Sequence, residues 1–255
     1  MKTLAKITAL LLPLLVMGCA AGPAATSTAS PAAESNLRLA KASLDSGDSA
    51  SAMSLYQQVL KRNPEDYDAR LGMADALFMA GERERARTAY MEASKRRPTE
   101  VGPQLALGRI ALMKRQFTEA EQRYQEARRL APDDTRSLCG LGVTRDMQGQ
   151  HDEAQALYTQ ALAMHPEDTA ARSNLGLSLA LAGQPRQGVN VLLDIATAPS
   201  APAQARQNLA LAYGLMGNDQ AAENVLNTDL DRTAVRSNLD YYRFLRARNG
   251  GSATP

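Results

Sequence analysis

Apolar and small residues return along this chain with a period of 34. Pro64, Pro98, Pro132 and Pro166 are spaced by 34 each time, and eight residues before each stands a tyrosine: Tyr56, Tyr90, Tyr124 and Tyr158. Twelve residues before each proline stands an alanine: Ala52, Ala86, Ala120 and Ala154. Gly47, Gly81, Gly149, Gly183 and Gly217 share the frame, with Arg115 in the one slot that lacks glycine. Four features in one phase define a repeated unit too small to bury its apolar face alone, so neighbouring units must stack. Ala, Leu, Arg and Gln, strong helix formers, recur throughout, and β-branched runs are scarce. The pattern therefore predicts an all-α chain of helix pairs, A followed by B. The glycine suits the C-terminal cap of helix A. Asn63-Pro64, Arg97-Pro98, Ala131-Pro132 and His165-Pro166 end helix B, because the residue before proline is pushed out of the right-handed helical region.

The period and the residues that keep it resemble the tetratricopeptide repeat (TPR). With the proline at repeat position 32, the leucine-glycine pair of positions 7 and 8 appears as Leu107-Gly108, Leu141-Gly142 and Leu175-Gly176. Leu39-Ala40, Met73-Ala74 and Leu209-Ala210 take its place in the other repeats. Small residues at positions 8 and 20 let the two helices approach, and the tyrosine at position 24 supplies a large apolar body between repeats. The frame places repeats at about 33–66, 67–100, 101–134, 135–168, 169–202 and 203–236. The last two are degenerate, with Leu192 and Leu226 for tyrosine, Gly188 for alanine and Ser200 for proline, but Gly183 and Gly217 hold the phase. Ser237 to Arg248 reads as a capping helix with Leu239, Tyr242 and Leu245 or Phe244 facing inward. The resemblance implies a TPR solenoid, a right-handed superhelix of antiparallel helix pairs, over residues 34–248, followed by a disordered tail at 249–255.

The first 33 residues have another character. Lys2 and Lys6 precede an apolar run from Ile7 to Met17, too short for a membrane-spanning helix, which needs about 20 apolar residues. The run ends in Val16-Met17-Gly18-Cys19, which resembles a lipobox, so residues 1–18 are expected to be a lipoprotein signal peptide and Cys19 the lipidated residue. An ordinary secretory signal cut after Ala20 or Ala21 is the alternative. Each buried acyl CH₂ contributes about 0.8 kcal/mol, so a multiply acylated cysteine would hold the protein on a membrane. Ala20 stands where an aspartate would resemble an inner-membrane retention signal, which points to the periplasmic face of the outer membrane. Residues 19–33, rich in Ala, Ser, Thr, Pro and Gly, read as a flexible tether.

With 29 Lys+Arg against 27 Asp+Glu, two of the lysines in the signal, the charge makes no case for nucleic acid. No H-E-x-x-H, C-x-x-C, G-x-S-x-G or P-loop occurs, so neither a metal, a small-molecule substrate nor a cofactor is expected beyond the lipid on Cys19. The two histidines, His151 and His165, fall in turns of the fourth repeat and read as solvent-exposed. Cys139 reads as a small packed residue, not a nucleophile. The acidic residues that follow the repeat prolines, such as Asp66, Asp134 and Asp168, stand at helix starts, where negative charge suits the macrodipole.

What the resemblance offers as a site is the concave groove, lined in the family by positions 2, 5, 9, 12 and 13 of helix A. Here these give Leu37, Lys41 and Leu44, then Leu71, Asp75, Phe78 and Met79, then Leu105, Arg109, Leu112 and Met113. Later repeats add Val143 and Met147, Leu177 and Leu181, and Leu211 and Leu215, with Arg136 and Asp146 as polar interruptions. About half of these leucines are expected to pack between helices. The remainder make an apolar, Met-bearing groove suited to an amphipathic segment of a protein partner. It is unlike the carboxylate clamp of chaperone-binding TPRs: Asn174 and Asn208 stand at position 6 without the Lys/Arg companions. Lipobox, tether, about six repeats and the stretch Asn238-Leu239-Asp240-Tyr241-Tyr242-Arg243-Phe244-Leu245 together resemble the TadD lipoproteins of the Flp/Tad (tight adherence) pilus. That resemblance implies a pilotin-like role toward a secretin. A type IV pilus pilotin, another envelope-assembly lipoprotein or a scaffold for cell-wall enzymes is the alternative within the binding class. An envelope-polymer enzyme with a TPR docking arm is the alternative outside it, and the repeats leave that enzyme no second domain.

Overall fold

The computed structural model describes residues 31–250. The expected signal peptide, Cys19 and most of the expected tether lie outside the described residues, as do the last five residues of the chain. All described elements are helices. The A helices are α1 (Pro31–Asp45), α3 (Tyr67–Met79), α5 (Val101–Met113), α7 (Thr135–Met147), α9 (Thr169–Leu181) and α11 (Ala203–Met216). The B helices are α2 (Ser49–Arg62), α4 (Arg83–Arg96), α6 (Phe117–Leu130), α8 (His151–Met164), α10 (Pro185–Thr197) and α12 (Asp219–Leu226), and α13 (Arg232–Gly250) closes the stack. None of these helices is long and apolar enough to cross a membrane.

Local chemistry sets the ends. Gly47, Gly81, Gly149, Gly183 and Gly217 have φ between 79° and 89°, the left-handed conformation in which a side chain is strained. Arg115, in the slot without glycine, adopts the same conformation at φ 57°. Helices α2, α4, α6 and α8 stop with Asn63, Arg97, Ala131 and His165 in non-helical geometry, each directly before its proline. The aspartates at the starts of A helices are true N-caps: Asp66 accepts from the Ala69 amide, Asp134 from Arg136, and Asp168 from Ala170 and Ala171.

Packing follows the chain order, each helix lying on the next, and A helices of successive repeats also touch, as α5 does α7 and α7 does α9. The core is a string of small clusters at the junctions. Ala52, Ala86, Ala120 and Ala154 are fully buried, and so is Ala222 at the matching position of repeat six. A further row, Val59, Ala93, Ala127, Ala161 and Ile195, also with a 34-residue spacing, is buried where the B helices pack. The tyrosine of each repeat lies between two A helices. Tyr124 is bracketed by Gly108 of its own repeat and Gly140 of the next, and a Cβ on either glycine would come within 3.0 Å of the ring. Leu192 takes the same place against Gly176 in repeat five and is fully buried.

The ends differ from the sequence frame. Helix α1 begins at Pro31, inside the expected tether, with Ala33 buried. Helix α12 has only eight residues. Helix α13 starts at Arg232 and occupies the place of a seventh helix A, with the Tyr242 ring on Gly214 of α11. Leu239 and Tyr242 are buried and Leu245 is half-buried, whereas Phe244 is 58% exposed beside Tyr241. Residue 244 lies two positions from Tyr242, about 200° around the helix, so the two cannot share the inward face.

Candidate partner-binding groove

The A helices carry the expected groove positions on one side of the stack. Met79, Met113, Met147 and Leu181, the last residues of α3, α5, α7 and α9, are 46%, 48%, 37% and 38% exposed. They form a row with one large apolar side chain per repeat. Helix ends put them there: position 13 is followed at once by the turn into helix B, so nothing on the same helix covers it. Leu37, Leu44, Leu71, Leu105, Val143 and Leu177 are half-buried, each giving part of its surface to a core cluster or a neighbouring helix, and Lys41 is exposed. Leu211 and Leu215 are half-buried against the clusters around α11.

Leu112 corrects the sequence reading. It is 7% exposed and packs with Ala111, Ala120, Tyr124 and Leu141, so it belongs to the junction of repeats three and four and offers the groove no surface. Asn208 is likewise buried, donating to Ser173 Oγ at 3.0 Å and accepting from Gln204, a structural bond between repeats.

Leu71, Asp75, Leu105 and Arg109 meet around a hollow of about 360 Å³, completed by Gly102, Ala106, Tyr124 and Arg136. The polar members are individually constrained. Asp75 accepts the Tyr90 hydroxyl, and burial raises its carboxyl above the usual carboxylate range, with Tyr90 and Arg109 opposing. Burial also raises the Tyr90 phenol, with Asp75 adding to the effect. The Arg109 guanidinium lies over the Phe78 ring, 4.1 Å from its centroid, and lowers the pKa of Tyr90 by its charge. Arg136 is tied back to Asp134 by Nε at 2.9 Å and Nη2 at 2.5 Å. Burial pushes the Tyr124 phenol up to about 12, and it stays protonated as a potential donor at the wall of the hollow.

A second polar knot sits under the row at repeat four. Asp146 Oδ1 accepts from Ser178 Oγ at 2.7 Å and pairs with His151 Nδ1 at 2.8 Å, and its Oδ2 accepts from the Tyr158 hydroxyl at 2.9 Å. His151 is therefore half-buried at the first turn of α8, not the free turn residue expected from its position. His165 is exposed, with Nε2 3.2 Å from the Asp133 carbonyl oxygen. Burial pushes the Cys139 thiol up to about 12, which leaves little thiolate at neutral pH. No group of three or more His, Cys, Asp or Glu able to hold a metal occurs among the described residues.

Gly102 stands at groove position 2 of its repeat but brings no side chain, whereas Ala106 and Tyr124 lie outside the groove positions of the sequence frame. For Tyr124 a signal existed: a ring wedged between two A helices has its hydroxyl at the far end, toward the side those helices line.

Two tetratricopeptide repeat models match the sequence, one over residues 43–102 and 147–199 and the other over 101–167, together more than half of the chain. The chain belongs to the tetratricopeptide repeat family, whose stacked helix pairs are typically non-catalytic protein-binding scaffolds. The fold is similar to a chain in the crystal structure of the APC/C hetero-tetramer Cut9–Hcn1, with 20% identity and a TM-score of 0.70 over 85% of this chain and 42% of that one. It thus spans under half the length of that relative. It is also similar to the thermophilic TPR protein TTC0263 of Thermus thermophilus, with 18% identity and a TM-score of 0.53 over 83% of this chain and 99% of that one. Pseudomonas aeruginosa pilF is 16% identical, with a TM-score of 0.60 over 76% of this chain and 88% of that one. At these identities the likeness is one of fold. Among curated proteins none matches the sequence.

Proposed function

We propose that this chain is a non-enzymatic scaffold, held by lipid on Cys19 at the periplasmic face of the outer membrane. Its groove takes a segment of a component of the Tad pilus secretion machinery, the secretin, and promotes that component's localisation or assembly. The observation that carries the binding role is the exposed row Met79, Met113, Met147 and Leu181. Four large apolar side chains, each partly open to solvent on successive repeats, make a strip that a partner's apolar surface would cover. Methionine, unbranched and polarisable, adapts to irregular apolar partners. The membrane and pilus parts of the reading are supported by Val16-Met17-Gly18-Cys19 and by the stretch from Asn238 to Leu245.

The test is a crosslinked pull-down of the tagged, lipidated protein from its own outer membranes, with bound proteins identified by mass spectrometry. A secretin that dominates the capture, and disappears with Cys19→Ser, is the expected result. Cell-wall synthases or outer-membrane assembly proteins in its place would leave the scaffold standing and end the pilus assignment. Met79→Asp with Met113→Asp should abolish capture while the helical circular dichroism stays intact. Phe78 is left alone in this test, since it supports Arg109. Retained capture by the double variant would move the binding surface out of the groove.

A further inference from the structure

The groove holds few charges, and most are already spent within it. Among repeats two to four, Asp75 accepts the Tyr90 hydroxyl, Asp146 is filled by Ser178, His151 and Tyr158, and Arg136 is paired with Asp134. Arg109 differs. Its guanidinium is exposed at the mouth of the hollow, and among the described residues no carboxylate comes within the 4.0 Å of an ion pair. Asp75 acts on it only from farther away. The Phe78 ring lies beneath the guanidinium, 4.1 Å from its central carbon to the ring centroid, and the Tyr90 hydroxyl lies close enough for Arg109 to act on it. An arginine resting over an aromatic face still has N–H donors to offer besides the one near Tyr90, and because the side chain is already supported, a second partner costs it little further entropy.

We propose that Arg109 receives a carboxylate side chain of the bound segment, so that the occupant is an amphipathic peptide stretch with an Asp or Glu among apolar residues that lie along Met79, Met113 and Met147. This rests on the groove being the partner-binding face. Charge complementarity selects the occupant: among the described groove residues between Met79 and Met147, Arg109 is the cation without an ion-pair partner, while Asp75 beside it is half-buried and already accepts the Tyr90 hydroxyl, and the planar fork of Arg109 matches a carboxylate bidentately. The hollow suits one side chain; its roughly 360 Å³ is at the low end for a whole small-molecule ligand. Tyr124, still protonated at neutral pH, offers a second donor to the same group. Neighbouring A helices lie about 8–10 Å apart, so an extended segment crossing them at about 3.3 Å per residue meets successive rungs with every third residue.

The probe is a phage-displayed random 12-residue peptide library, selected against the full-length protein in detergent and against three variants. We expect the wild-type pool to be enriched in apolar residues about three apart with an Asp or Glu between them. Arg109→Gln should retain the apolar enrichment and lose the acidic residue, and Arg109→Lys should keep part of the acidic preference. For one selected peptide, changing its acidic residue to the amide should weaken binding to wild type by about tenfold or more, as for loss of a charge-assisted hydrogen bond, and leave binding to Arg109→Gln unchanged. Equal acidic content in the wild-type and Arg109→Gln pools, with binding still lost in Met113→Asp, overturns the carboxylate proposal alone. Selected peptides that bind Met113→Asp as well as wild type overturn the groove reading, and this proposal with it.

Discussion

Gly140→Ala is the most direct test of how the tyrosines organise the stack. In an open helix the change is favourable by about 1 kcal/mol, because alanine restricts the unfolded chain more than glycine does. Here the new Cβ would be driven into the Tyr124 ring, well inside van der Waals contact with Cε1, Cδ1 and Cζ. The ring cannot retreat. It is 5% exposed, packs with Ala111, Leu112, Ala120 and Leu141, and has Gly108 against its other face at a separation that leaves no Cβ room there either. Overpacking of this kind costs about 1–3 kcal/mol, and a rigid ring confined on both faces belongs at the upper end. The net expectation is a loss of about 2 kcal/mol, which for a chain of this size lowers Tm by about 4–8 °C. Thermal and urea unfolding followed by circular dichroism at 222 nm would measure it. The same substitution in a Tyr124→Leu background removes Cε1 and Cζ and should lose most of its penalty, a coupling that a double-mutant cycle reads directly. A Gly140→Ala protein as stable as wild type, or a penalty that persists in the Tyr124→Leu background, would refute the account.

Two further substitutions test the local chemistry. Arg115→Gly should stabilise by about 0.5–1 kcal/mol in the same unfolding assay, since a left-handed φ of 57° strains any residue with a Cβ and the contact given up, Arg115 over Phe117 at 5.5 Å, is weak. Asp146→Ala should cost roughly 2–5 kcal/mol by leaving the fully buried Tyr158 and Ser178 hydroxyls without their acceptor. Hydrogen exchange should place that loss at the junction of repeats four and five, and Asp146→Asn, which keeps an acceptor oxygen, should be milder.

Much of the fold was legible because its signals are local or depend on phase alone. A left-handed cap selects glycine at residues 47, 81, 149, 183 and 217 whatever lies elsewhere in the chain. A proline ends the helix before it for a steric reason confined to two residues. The alanine that lets helix B approach helix A returns as a 34-residue echo, and the capping aspartates follow the prolines in plain sequence. The degenerate fifth repeat could be kept because Gly183 holds the phase, with Leu175-Gly176 also in register, and Leu192 does take the tyrosine's place.

The groove was legible as a set of positions but not as a surface. Position 12 holds Phe78, Leu112 and Asp146 in successive repeats: one carries an arginine on its ring, one is buried at a junction, and one ties three side chains together. Nothing within a single repeat distinguishes these fates. Each depends on what the next repeat brings alongside, as Arg109 comes to lie on Phe78 from 31 residues away and Ser178 reaches Asp146 across 32. The inward face of α13 was decided the same way, by Gly214 making room for Tyr242 and leaving Phe244 outside. By itself the amino-acid sequence determined the repeat, the helix ends inside the stack and their caps, since these obey short-range sterics and periodicity, but not the helix bounds at either end of the stack. Which side chains are hidden, paired or left open to a partner was decided only by tertiary structure, because burial and charge pairing are properties of the junction between repeats.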